Sequence, residues 1–403
     1  MPDDKLKQLE IVLLGLLVFV LPSLETPKTI FWALYVLAFL VRRYREHGLA
    51  FDKPNAITFS VVALFLVSLI STFSNWPLQT GFRGAFDTLR FTSLFLCLYY
   101  GGYTYNQIKS IALVMILGSL AGLLFGLLEY SNGVTSSLGY HSAGVTTQSS
   151  IYLGLVIITN LGLLVGGVRN NSLMNVFLYI SLFLMGVAIV YMGSRGAIFA
   201  TSICFAIILV LTRSLRNMLI SSSLLIAISI SAFLLISAYP TNINEPNKKE
   251  RFSSQRFQKS DNERLVNWQI AVRKISTGKD MIWGIGPKNY STIDPRELSI
   301  DLPYYIRTGK LNHAHNLFLT QWIEQGLMGL FVMLTFFILV ATNLIKNWPN
   351  CRGSRLQWVW ISGLGGLAIP IIAGFFNTPF YQEPAMLAML LMGAMFSQTG
   401  KAV

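Results

Sequence analysis

Two histidines precede a long apolar stretch in the segment LNHAHNLFLTQWIEQGLMGL, which begins at Leu311. They are His313 and His315, and Asn316 follows the second directly. Histidine titrates near neutral pH, so it can accept a proton from a hydroxyl group. Two histidines can also bind zinc, but neither i, i+4 spacing nor a third ligand is evident. We therefore predict a general base here in preference to a zinc site.

A polar stripe continues from these histidines into the apolar stretch. On a helix, positions i, i+3, i+7 and i+11 would share one face, and here they are His313, Asn316, Thr320 and Glu324. A polar face of this kind is costly in the hydrocarbon core of a membrane. We therefore expect it to line a wet cavity or to pack against another helix.

A short break in the apolar pattern, VYMGSRGAIFA, carries Arg195. Nearby glycines let the backbone approach a ligand closely, and the next helix would present its N-terminus. Both features favour a phosphate group, which arginine binds through paired hydrogen bonds. We predict that Arg195 contacts an anionic substrate, with a structural or snorkelling arginine as the alternative.

A second arginine, Arg264, opens the segment DNERLVNWQIAVRKI, in which apolar residues recur at helical spacing. The pattern predicts an amphipathic helix that lies on the membrane surface or packs against the spans. Asp261 or Asn262 would be its N-cap. Arg264 would point away from an apolar stripe formed by Leu265, Trp268, Val272 and Ile275.

Two further arginines, Arg83 and Arg90, are candidate substrate contacts on the same side of the membrane. Asp87 stands three residues before Arg90, so that a local ion pair is the expected role of these two residues.

Composition defines the elements that must position these side chains. Of the 403 residues 53% are hydrophobic and 12% charged, and the mean hydropathy is +0.55. An average soluble domain has about 25% charged residues. The apolar runs do not alternate as the strands of a membrane β-barrel do. We predict an all-α polytopic membrane protein with about twelve spans, near residues 9–24, 28–41, 56–73, 87–103, 107–129, 148–168, 173–192, 196–212, 219–238, 314–345, 356–376 and 382–399.

The first run has no small-residue cleavage site, so we expect a retained anchor and not a signal peptide. With the N-terminus inside, the short inside segments carry 14 Lys and Arg, and the short outside ones carry 3. This bias predicts that both termini are cytoplasmic. It also accounts for much of the basic charge, which makes nucleic-acid binding a poor interpretation. The three cysteines have no metal-ligand spacing, which argues against zinc or redox chemistry.

The chain divides into spans one to nine (1–238), one large outside loop (239–313) and spans ten to twelve (314–403). Between Tyr239 and Asn312 the loop holds 13 Lys and Arg against 8 Asp and Glu. Long loops cross the membrane regardless of charge, so the excess does not contradict the orientation. A basic outer surface suits anionic partners such as phosphates or lipid headgroups.

Several motifs together resemble the O-antigen ligase family, whose superfamily also contains O-antigen polymerases and O-oligosaccharyltransferases. They are SRGA at 194–197, R-x3-W-x2-A from Arg264, GIG at 284–286, and H-N-x9-G-x2-G from His315 through Gly326 to Gly329. The resemblance covers nearly the whole chain and implies a GT-C-like fold with a periplasmic loop. It also implies a multi-pass protein of the bacterial inner membrane, with its active site facing the periplasm.

The resemblance implies transfer of a glycan from undecaprenyl diphosphate to lipid A–core, completing lipopolysaccharide. Such enzymes use no metal, nucleotide sugar or ATP, so no cofactor is expected. By position, His315 would be the catalytic histidine with His313 as an auxiliary. Arg195 and Arg264 would hold the donor diphosphate, and Asn316, Arg83 and Arg90 are further possible substrate contacts.

Three alternatives stay open. An O-antigen polymerase would use a second lipid-linked glycan as the acceptor, and a protein O-oligosaccharyltransferase would use a protein. A lipid-linked glycan flippase would not be an enzyme. It should show mid-membrane charges or two repeated halves, whereas the candidate residues here cluster at one interface.

Overall fold

The computed structural model describes residues 3–48, 54–75, 77–141, 146–166, 171–212, 254–276, 280–294, 313–381 and 383–399, and the single positions 230 and 298. Within these ranges the chain is helical and contains no strand. The α-helices are α1 (Asp3–Val20), α2 (Glu25–His47), α3 (Ala56–Phe73), α4 (Leu78–Tyr100), α5 (Tyr105–Ser131), α6 (Thr146–Val165), α7 (Ser172–Met192), α8 (Arg195–Thr212), α9 (Ser254–Ile275), α10 (Leu317–Cys351), α11 (Gln357–Gly374) and α12 (Glu383–Thr399). Short 3-10 segments cover Asn289–Thr292 and Pro379–Tyr381.

Seven of these helices are long and apolar enough to cross a membrane: α3, α5, α6, α7, α8, α10 and α11. The other predicted spans with described residues coincide with α1, α2 and α4, which carry more charge, and with the shorter α12. The predicted all-α polytopic membrane protein is therefore confirmed. The predicted ninth span, 219–238, falls outside the described residues apart from position 230.

The chain packs around α6, in which every residue from Gln148 to Leu163 is buried. Its neighbours are α7, α8, α11 and α12. A helix covered on all sides has no need of a polar face, which is why α6 is apolar around most of its circumference.

One end of the bundle gathers the candidate residues. Here α1 joins α2, α3 joins α4, α7 joins α8, and residues 375–382 join α11 to α12. A Cβ on Gly196 at the start of α8 would lie 3.1 Å from Asn377 Nδ2, so the start of α8 touches the connection that follows α11. We call this end the site end, and it is the end that the charge bias predicts to lie outside.

A break in α10 connects the bundle to the polar loop. Gly326 has φ 69° and ψ −173°, which interrupts the helix. The segment 281–286 docks into the break through Ile285 N–H to Ile323 O at 2.8 Å, Gly286 N–H to Glu324 O at 2.9 Å and Leu327 N–H to Met281 O at 2.9 Å. A Cβ on Gly326 would lie 2.0 Å from Ile282 O, so only glycine fits. The span predicted over 314–345 is thus two helical pieces.

Candidate functional site

The two histidines lie immediately before α10. Their ring centroids are 4.3 Å apart. His315 has φ 52°, a left-handed conformation that few non-glycine residues adopt. Asn316 caps α10 by accepting a hydrogen bond from Leu319 N–H at 3.0 Å. Strained backbone conformations cluster at functional sites, so the backbone of His315 supports its choice as a site residue.

The polar stripe is buried, as predicted, but it begins later than the helical spacing implied. Because α10 starts at Leu317, His313 precedes the helix and Asn316 is its cap. The stripe packs against the connection between α11 and α12. Its contacts are Asn316 Nδ2 to Phe375 O at 3.2 Å, the Thr320 and Thr378 hydroxyls at 3.3 Å, and Tyr381 O–H to Glu324 Oε1 at 2.5 Å.

Both histidines are held in the neutral form. Burial lowers the pKa of His313 to about 4. Burial lowers the pKa of His315 to about 3, and the positive charges of His313 and Arg264 act in the same direction. At neutral pH both imidazoles therefore have a lone pair available to accept a proton.

Arg195 and Arg264 line one cavity of about 570 Å³, which we call the arginine cavity. Arg195 is the first residue of α8, after Gly193, which ends α7 in a left-handed conformation. The predicted tight turn is therefore confirmed. The other lining residues are Gly196, Phe199, Leu265, Trp268 and Phe376, so the cavity combines two guanidinium groups with apolar walls.

The prediction for the direction of Arg264 on α9 is wrong. Arg264 does not point away from the apolar stripe, because it lies four residues before Trp268 on the same side of the helix, and both line the arginine cavity. Leu265 and Val272 are 52% and 53% exposed. The face that packs on the protein instead contains Asn267, Ile270, Ala271 and Ile275.

The predicted N-cap of α9 is also wrong. The helix begins at Ser254, so Asp261 and Asn262 lie within it and cannot cap its N-terminus. The sequence pattern missed the first two turns because they are polar and carry no apolar periodicity.

Arg83 and Arg90 lie within α4, which begins at Leu78 and not near residue 87. Arg83 is exposed. Arg90 is buried, pairs with Asp87 at 3.4 Å and donates to Thr29 Oγ1 at 3.2 Å. The predicted local ion pair is confirmed, and it places Arg90 away from the residues that line the arginine cavity.

Sequence reasoning missed a second group of polar residues next to the histidines. Lys288 donates its N–H to Glu324 Oε2 at 2.9 Å and pairs through Nζ with Asp87. Its ammonium lies 5.6 Å from the ring centroid of Tyr381, whose ring is 6.1 Å from that of His313. The sequence does contain a signal for this group, since Asp87 and Glu324 are charged residues within largely apolar segments. Lys28, which pairs with Glu383 although both are buried, carries the same signal.

One family model matches the part of the chain that contributes most of these residues. The O-antigen ligase model matches residues 180–334, a range that includes Arg195, Arg264, Lys288, His315 and Glu324. No curated protein matches the chain. The family comprises glycosyltransferase-like ligases and polymerases. Residues 180–334 of this polytopic membrane protein are thus similar to the O-antigen ligase family.

Proposed function

We propose that the protein is an O-antigen ligase, which transfers a glycan from undecaprenyl diphosphate to lipid A–core. The arginine cavity is the observation that carries the proposal, because it sets Arg195 and Arg264 beside apolar walls. A polyprenyl-diphosphate-linked glycan offers the matching combination of two phosphates and an apolar chain. Arginine pairs with such phosphates through bidentate hydrogen bonds.

The histidine pair provides the base. An acceptor hydroxyl attacks the anomeric carbon of the donor sugar, and its proton passes to the neutral ring of His315. The bond between that carbon and the diphosphate oxygen breaks as the new glycosidic bond forms, which inverts the configuration. Undecaprenyl diphosphate leaves with the bonding electron pair, and the two arginines stabilise its negative charge. His313 keeps its auxiliary role through its contact with the His315 ring.

Donor binding and base strength are coupled through Arg264. In the empty site the positive charge of Arg264 contributes to the low pKa of His315. A bound diphosphate would neutralise that charge and add negative charge nearby, which raises the pKa of His315. The histidine thus becomes a stronger base when a donor is present.

The orientation follows from the charge bias of the short loops, which favours cytoplasmic termini and a periplasmic site in the inner membrane. Both substrates are membrane lipids in this location, so they can reach the site end laterally. Neither a nucleic acid nor a cofactor has a role in the proposed reaction. Asn316, Arg83 and Arg90 remain candidate substrate contacts, with Asn316 next to the base.

A competition experiment tests the proposal. The full-length protein is reconstituted with an undecaprenyl-diphosphate-linked glycan and two acceptors, lipid A–core and a second copy of the lipid-linked glycan. The expected product is glycan on lipid A–core. Lengthened lipid-linked glycan would instead identify a polymerase, and movement of the donor across the bilayer without transfer would identify a flippase.

A further inference from the structure

Beside the histidine pair, two adjoining cavities of about 40 and 90 Å³ share Asp87, Phe91 and Lys288 as lining residues. We call them together the polar pocket. The smaller cavity is also lined by polar residues of α10 and of the α11–α12 connection, namely Thr320, Gln321, Glu324, Gln325, Thr378 and Tyr381. The larger one adds Glu25, Arg90 and Glu383.

The fixed charges around the polar pocket largely compensate one another. Asp87 pairs with both Arg90 and Lys288, and Lys28 pairs with both Glu25 and Glu383. Glu324 receives hydrogen bonds from Tyr381 O–H and Lys288 N–H. A pocket with balanced charge gives little preference to a phosphate. It presents donors and acceptors side by side, which matches hydroxyl groups that both donate and accept.

Two buried polar atoms in the pocket lining call for a ligand or water. Gln325 is 7% exposed, and its Oε1 has no hydrogen-bond partner in the part of the chain that the structure describes. The same holds for Nε of Arg90, which is 8% exposed. Buried side-chain polar atoms in folded proteins are mostly hydrogen-bonded, so a polar ligand that reached these two would gain hydrogen bonds that the described residues do not supply.

The size and position of the pocket suit a sugar. One water needs about 10–15 Å³ of cavity volume, and the larger cavity has about 90 Å³, so it admits a polar group larger than a single water. Tyr381 lines the smaller cavity, and its ring is 6.1 Å from that of His313. A sugar in the pocket would therefore lie within one side chain of the histidine pair.

We propose that the polar pocket binds one neutral sugar ring of a reacting glycan through Gln321, Gln325 and the Asp87–Arg90–Lys288 group. A role of this sugar in catalysis rests on the proposed glycosyl transfer, whereas binding of the sugar to the polar pocket does not. Sugar hydroxyls could come from the acceptor glycan or from the donor glycan, and the two sources have separate outcomes in the test.

The first experiment measures transfer kinetics with Gln321→Leu. Gln321 is only partly buried, so we expect this variant to fold. Gln398→Leu at the opposite end of the bundle is the matched control, since Gln398 is likewise a partly buried glutamine, and it donates to Tyr103 O. Loss of the amide should raise the KM of one substrate about tenfold, as expected for one or two neutral hydrogen bonds. A rise for lipid A–core assigns the pocket to the acceptor, and a rise for the lipid-linked glycan assigns it to the donor.

Unchanged KM values for both substrates would overturn the proposal. If Gln321→Leu does not fold, Gln325→Met replaces it, because Gln325 lines the same pocket and its Oε1 bonds to no described residue.

The second experiment needs no turnover. Free core oligosaccharide and free O-antigen oligosaccharide are added to the detergent-solubilised full-length protein, and saturation-transfer NMR reports binding. Binding that is lost in Gln321→Leu and kept in Gln398→Leu supports the pocket even if the wild type transfers no glycan, in which case only the proposed function fails. Equal binding in both variants, or none in the wild type, contradicts the pocket.

Discussion

The arginine cavity and the polar pocket lie near the same pair of histidines but differ in charge. Among the described residues that line the arginine cavity, two are cations, none is a carboxylate and most of the others are apolar. In the polar pocket, carboxylates accompany the cations. A lining whose charged members are both cations favours a diphosphate, whereas a lining that mixes cations and carboxylates favours a neutral, hydroxyl-rich ligand. The difference suggests how one site distinguishes the lipid-diphosphate end of a substrate from its sugar.

The two regions also differ in how they are built. The arginine cavity has walls from α8 and α9, and two of the side chains that line it, those of Arg195 and Leu265, are exposed. The polar pocket is fixed by the docking of segment 281–286 into α10 and by the ion pair between Lys288 and Asp87. Lys288 and His315 are the two non-glycine residues with positive φ in the described ranges. We therefore expect the polar pocket to be the more rigid region and the arginine cavity to adapt to its ligand.

The largest expected effect comes from the proposed base, His315. His315→Ala removes the base, so single-turnover transfer should fall by roughly 10²–10⁴-fold. Binding of the lipid-linked glycan should persist, because neither region depends on the His315 ring. His141→Ala is the control, since His141 is exposed and bonds to Glu129 at 2.9 Å. Full transfer by the His315 variant would remove the base from the mechanism.

The scaffold of the polar pocket can be tested with two glycines of similar φ. A methyl group at Gly326 would collide with Ile282 O, whereas Gly353, with φ 71°, has open space around it. Gly353→Ala should cost about 1 kcal/mol from backbone strain. Gly326→Ala should cost about 3 kcal/mol or more, because it must also displace the docked segment. Thermal unfolding in detergent measures both variants, and equal losses would show that docking does not depend on close approach at Gly326.

The membrane spans and the Arg195 turn could be predicted because their signals are local. Apolar runs of sufficient length give the spans, and the glycines around Arg195 give the turn. The orientation of α9 could not be predicted in the same way. At a membrane surface an apolar side chain is stable against lipid or against protein, so periodicity reveals that α9 is amphipathic but not that Ile270 faces the protein and Leu265 does not.

The polar pocket could not be predicted because its members come from distant parts of the chain. Asp87 and Lys288 are 201 residues apart, and Lys28 and Glu383 are 355 residues apart. In the sequence each is a single charge within or beside an apolar run, and only the tertiary structure shows its partner. The break at Gly326 was likewise visible only as a glycine within a motif, because its cause is the docked segment.

The arginine cavity predicts a selective effect on the donor. Arg264→Gln removes a charge-assisted contact worth about 1.5–3 kcal/mol, so the KM of the lipid-linked glycan should rise about tenfold to a hundredfold. The KM of lipid A–core should change by no more than about twofold, because most surface substitutions change free energies by no more than about 0.5 kcal/mol. Arg273→Gln is the matched control on the same helix, because Arg273 is exposed and does not line the cavity. A rise in the acceptor KM alone would reverse the assignment of the two regions.

The smallest expected effect is a shift in pH dependence, and it links the arginine cavity to the base. Transfer requires neutral His315, and kcat/KM reports the pKa of the free enzyme. The pKa of His315 is lowered to about 3, so its imidazole is almost entirely neutral above about pH 5. Protonation of His315 should therefore not reduce kcat/KM between about pH 5 and 7. Arg264→Gln removes one of the positive charges that lower the pKa, which should move the acid limb of the profile to higher pH. Gln321→Leu removes no charge, so we expect no such shift for this variant. Profiles of kcat/KM for the three proteins measure both effects, and an acid limb near pH 6.5 in the wild type would show that the empty site does not depress the histidine.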